Sequence, residues 1–210
     1  MTLSLTDRRA MAKFHKICEI ANVFLEIDNI APALRPVALH LSVHHVIVGH
    51  VVSRYTLMDD LLNNIIIFFF GRRAVRTSVK AQRPKKLRVF RHHILDEMYL
   101  LKKMQIVHEI QPIAPKVSEH LRKLNAIRNA MTHSFYPEHR KEYRKTKKVT
   151  YSGRNIFTPS GLTLFEQDWL AARKALEGRV PGHRAWERKR AQKILVDLGI
   201  GDDALQLLPG

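Results

Sequence analysis

The sequence predicts a mainly α fold, and three observations carry that expectation. Apolar residues recur at helical spacing in segments spread from Phe14 to Leu176. Strand-like alternation is confined to short runs, and Gly and Pro fall between the periodic segments. The 210 residues are 45% hydrophobic, a globular composition with enough apolar material for a sizeable core.

The first helix is expected over 7–28, capped by Thr6, with a seam of Phe14, Ile17, Ala21 and Phe24 and with Cys18 and Leu25 beside it. Pro32 and Pro36 interrupt the pattern over 29–36. Residues 37–52 read two ways: Leu39, Leu41 and Val43 alternate as in a strand, yet a buried helix fits equally. A core helix is expected over 53–70, ended by Gly71, with Asp59, Asp60, Asn63 and Asn64 on one face. Acids near a core need partners, and Arg128 is the candidate for Asp59 or Asp60. Residues 71–91 hold nine basic side chains and no acidic one, and Pro84 divides them. They read as a loop or loosely ordered arm leading into a helix over 85–109, seamed by Leu87, Phe90, Ile94, Met98 and Leu101.

After a turn over 111–115, Pro115 is placed to start the next helix. Its seam is Val117, Leu121, Leu124, Met131 and Phe135, and Pro137 stops it. Val149–Tyr151 and Ile156–Thr158 read as a short β-hairpin. Thr163 and Glu166 have capping-box spacing, and Leu162, Phe165, Trp169, Ala172 and Leu176 carry a closing helix to Gly178. A basic helix is expected over 183–198, after Pro181-Gly182. This gives an N-terminal helix and linker (1–36), a helical domain (37–180) and a basic C-terminal helix with an acidic tail (181–210).

Arg128 occupies the seam slot between Leu124 and Met131, where an apolar residue belongs. A guanidinium stays charged and is costly to bury alone, so Arg128 either pairs with an acid or lines a wet cleft. Asn129, Thr132 and His133 lie on a neighbouring face at the same helix end. An arginine, a polar residue and then a histidine at the end of a helix resemble the signature of HEPN domains, here Arg128-Asn129 followed by His133. The layout over 53–178, a helical core with a hairpin before the closing helix, is also similar to that family.

The resemblance implies a metal-independent endoribonuclease without a cofactor. Arg128, Asn129 and His133 would be catalytic, supported by Asp59, Asp60, Asn64 and Thr132. It implies a homodimer whose two motifs meet across a two-fold axis, with RNA as substrate. As a family expectation, it implies a toxin or phage-defence setting with an antitoxin or regulatory protein partner. The alternative is a HEPN-like module that binds nucleic acid or protein without cutting.

The charge distribution favours a polyanionic partner. Residues 1–70 hold six basic and six acidic side chains, whereas residues 71–193 hold 30 and 10. Arg72, Arg73, Arg76, Lys85, Lys86, Arg140, Lys141 and Arg144 are the expected phosphate contacts. Cys18 is the single cysteine, which excludes a disulfide framework or cysteine zinc site within one chain. No acid or thiol stands close enough in sequence to complete a metal set with His40, His44, His45 and His50, so no metal is expected. The first 13 residues have no apolar signal core, and Ile65–Phe70 is too short to span a bilayer. A cytoplasmic protein without membrane attachment is therefore expected.

Overall fold

A computed structural model describes residues 5–23, 25, 31, 33–77, 83–132 and 148–180, with side chains at all of these except 5–7, 72–77 and 83–85. The fold is mainly α: α1 (Leu5–Ala21), α2 (Arg35–Thr77), α3 (Arg83–Phe90), α4 (Leu100–Ile110), α5 (Pro115–Thr132) and α6 (Pro159–Glu177). A two-stranded hairpin, β1 (Thr150–Tyr151) and β2 (Arg154–Asn155), sits between α5 and α6, the place the sequence predicts.

The open choice over 37–52 resolves as helix, and Gly71 does not end the one that follows. Both stretches merge into α2, a 43-residue helix about 65 Å long at 1.5 Å per residue. Gly71 is buried, and a Cβ there would stand 3.6 Å from Leu87 Cδ2. A Cβ would fit there in ordinary contact, and α2 continues through Gly71, so the residue is not a stop signal. The axis of the molecule is α2, with α1, α4, α5 and α6 all packed on it. Leu39, Ile47, Val51, Met58, Leu62 and Ile66 give it the inward face. Its Arg35–Gly71 stretch is, by length and composition alone, the one among the described residues able to cross a membrane.

α1 ends seven residues before the expected Asp28, at a left-handed Asn22 (φ 54°). Val23 N donates to Cys18 O and Asn22 N to Glu19 O, the paired bonds that close a helix through a left-handed residue. Phe14, Ile17, Cys18 and Ala21 join the same core as the later helices, while Phe24 lies outside the described residues.

The expected 85–109 helix is two helices. Between α3 and α4, Arg91–Leu95 form one wide π turn in which Asp96 N donates to Arg91 O. Leu95, Leu100, Met104 and Val107 then anchor this region in the core. The hairpin turn is Ser152-Gly153, both with positive φ (47° and 81°), the two-residue connection that matches strand twist. The second strand lies two to three residues earlier than expected, because Ile156–Thr158 lead into α6 instead.

The capping expectation also shifts. Thr158, not Thr163, caps α6: its hydroxyl accepts from Gly161 N at 3.2 Å, and Pro159 takes the first helical position. Gly161 has to be glycine, since a Cβ would fall 2.1 Å from Asn155 O. Leu162, Phe165, Trp169, Ala172 and Leu176 are all buried along α6, as the spacing predicts.

Candidate functional site

The end of α5 brings Arg128, Asn129 and Thr132 together, with Arg128 against Tyr55 of α2. Ile127, Ala130 and Met131 turn into the core, so Arg128 is left half-buried at its margin. Its guanidinium carbon lies 4.5 Å from the centroid of the Tyr55 ring, within cation–π range. Arg128 Nη1 donates to Asn129 Oδ1 at 2.9 Å. Thr132 Oγ1 donates to Arg128 O at 3.0 Å, one turn back along the helix. His133, the next residue, lies outside the described residues.

Asp59 and Asp60 are not the partners of Arg128. Asp59 accepts from Lys103 Nζ at 2.6 Å, and Asp60 accepts from Arg91 Nη2 at 2.5 Å. The reason is topological: α4 and the π turn lie along the face of α2 that carries both acids, and deliver their own cations first. Lys103 is 1% exposed. Burial raises the Asp59 carboxyl above the ordinary range even though the Lys103 ammonium pulls it down. Burial likewise raises the Tyr55 hydroxyl, against the lowering pull of Arg128. Asn64 is half-buried one turn beyond Asp60.

Two buried polar clusters flank α6, and the sequence reading missed their pairings. In the first, Glu166 accepts from Arg54 Nε (3.0 Å) and Nη2 (2.6 Å) and bonds His50 Nε2 at 2.9 Å. Burial pushes the Glu166 carboxyl up, but these two partners outweigh it and hold it below its ordinary value. Trp169 Nε1 donates to Arg54 O, and the Arg54 guanidinium covers the indole at 4.3 Å. Sequence alone placed Glu166 in a capping box and His50 in a histidine series; their separation of 116 residues left no local signal.

In the second cluster, Tyr151 OH donates to Asp168 Oδ2 at 2.7 Å and meets His120 Nδ1 at 2.7 Å. With its proton given to Asp168, the hydroxyl accepts from His120, so His120 carries its proton on Nδ1. Nε2 is buried with no hydrogen-bond partner. Burial pulls the His120 pKa down to about 4, and Asp168 only partly offsets it. A base with a depressed folded pKa stabilises most where it is neutral in both states. Stability should therefore be full above pH 6.5 and decline toward pH 4, by up to about 3 kcal/mol. His120→Gln should flatten the pH dependence of urea unfolding between those limits.

The basic candidates fall into three groups. Arg72, Arg73 and Arg76 lie on the last turns of α2, Lys85 and Lys86 lie on α3 with Lys86 exposed, and Arg140, Lys141 and Arg144 lie outside the described residues. His44 stacks on Phe157 at 5.0 Å and 6°, and His50 is committed to Glu166, so the histidine series is spread over separate contacts. Among the described residues, no group of three His, Cys, Asp or Glu side chains is placed to hold a metal. The chain matches no protein-family model, no curated protein and no solved structure.

Proposed function

We propose that the protein is a metal-independent endoribonuclease of HEPN type, acting as a homodimer. The observation that carries the reading is the state of Arg128. No carboxylate among the described residues pairs with it, and it is held at a helix end by Tyr55 and Asn129. A guanidinium so placed keeps N–H donors for a phosphate, which it can grip bidentately.

In the proposed reaction the 2′-OH of RNA attacks the adjacent phosphorus and the bond to the 5′-oxygen breaks, leaving a 2′,3′-cyclic phosphate. The attacking hydroxyl loses a proton and the leaving oxygen gains one, and His133 supplies an imidazole suited to such transfer near neutrality. Arg128 stabilises the non-bridging oxygens as charge develops on them. Asn129, fixed to Arg128, orients that group.

The purified full chain should cut single-stranded RNA in EDTA and leave 2′,3′-cyclic ends. RNA affinity should fall linearly in log–log form as salt rises, and replacing Arg72, Arg73 and Arg76 together by Ala should reduce the slope. A folded dimer that binds RNA at low salt but never cleaves it would favour the non-catalytic binding module instead.

A further inference from the structure

We propose that Tyr55 is a positioning residue that fixes the plane of the Arg128 guanidinium toward the scissile phosphate; this rests on the ribonuclease reading. An arginine side chain has four rotatable bonds, and a bidentate phosphate grip requires its fork to sit in one plane before the substrate arrives. Three features supply that constraint. The Tyr55 ring lies under the guanidinium at 4.5 Å, so attraction to the aromatic face sets the plane. The bond from Nη1 to Asn129 Oδ1 at 2.9 Å sets the rotation within that plane. Tyr55 itself is half-buried on α2, with the Leu100 backbone amide approaching its hydroxyl at the start of α4.

The surroundings of the ring explain why an aromatic residue suits this place better than an acid. Asp59, one turn along α2, is already neutralised by Lys103. A carboxylate at position 55 would neutralise Arg128 and occupy the donors that a phosphate needs. A ring face attracts the cation while leaving the N–H edge open. Burial keeps the Tyr55 hydroxyl protonated at neutral pH, so the platform carries no competing charge.

The test has a structural arm and a kinetic arm, both on the full chain. In the structural arm, the Nε–Hε resonance of Arg128, assigned by its loss in Arg128→Lys, should be displaced by the ring current. Tyr55→Phe should keep that displacement and Tyr55→Leu should abolish it. In the kinetic arm, single-turnover cleavage in EDTA should fall about tenfold in Tyr55→Leu and stay within about twofold in Tyr55→Phe, with RNA affinity little changed in both.

In the Arg128→Lys background Tyr55→Leu should cause little further loss, whereas a general structural defect would multiply with it. If Tyr55→Leu does not fold, Tyr55→Met takes its place, keeping length and apolarity without a ring face. Wild-type cleavage in the ringless variant, a fully multiplicative double mutant, or an unmoved Arg128 resonance would each overturn the inference. A wild-type chain that cuts no RNA overturns the ribonuclease reading alone, and the resonance then decides by itself whether Tyr55 fixes Arg128.

Discussion

Replacing His133 by Ala is expected to lower RNA cleavage by about 10²–10⁴-fold, the range for removing a general acid or base. The residue follows Thr132, the last residue of α5, and the core of that helix is built by Val117, Leu121, Leu124, Ile127 and Met131. Fold and RNA affinity should therefore be nearly unchanged in His133→Ala. Arg128→Ala is a cleaner companion than the sequence suggests. Its loss strands neither Asp59 nor Asp60, because those carboxylates are held by Lys103 and Arg91. Arg128→Ala should thus lose cleavage while leaving Asp59 and Asp60 with their own partners. Arg128→Lys keeps the charge over Tyr55 but loses the planar fork, and should also be strongly impaired. Initial rates in EDTA, with urea unfolding as the control, measure all three. Wild-type rates in His133→Ala would remove the residue from the reaction.

The sequence makes the helices legible where apolar spacing is long and regular. The α6 seam is the clearest case: Leu162, Phe165, Trp169, Ala172 and Leu176 all face the core. Signals that depend on one residue are weaker. Gly71 has the look of a helix end, but α2 runs through it and Leu87 lies beside it, a neighbour brought by a second helix and not by the sequence around it. Asn22, by contrast, ends α1 through its own left-handed conformation, although the apolar spacing in the sequence continues past it to Phe24. Partner choice was least legible. The acids of α2 needed cations, as burial physics requires, but the packing of α4 and the π turn on α2 decides which cation arrives. Lys103 and Arg91 lie 44 and 31 residues away in sequence from Asp59 and Asp60. For Arg128, the choice between an acid and a wet cleft omitted the aromatic face of Tyr55, which charge counting does not register.

The Lys103–Asp59 pair should give the largest stability effect of the charge changes considered. Lys103 is 1% exposed and its ammonium bonds Asp59 at 2.6 Å between α4 and α2. Lys103→Met keeps the apolar stem but strands a carboxylate that burial already disfavours, with Asp60 and Asp96 adding repulsion. Breaking such a pair from one side costs about 3–5 kcal/mol. The sign of the pH dependence follows from the raised Asp59 pKa, which goes higher still without Lys103. At neutral pH the folded protein must carry the stranded charge or a proton that the unfolded chain does not bind, and both weaken it. As pH falls toward the folded pKa, the carboxyl becomes neutral and the deficit relative to wild type should narrow. Lys103→Met/Asp59→Leu removes both charges, and should recover much of the loss at pH 7, since a buried pair is often replaceable by apolar packing. Urea unfolding of the two variants at pH 7 and pH 5 measures these differences. Equal losses in the single and double variants at both pH values would show that the lysine acts through its packed stem and not through its charge.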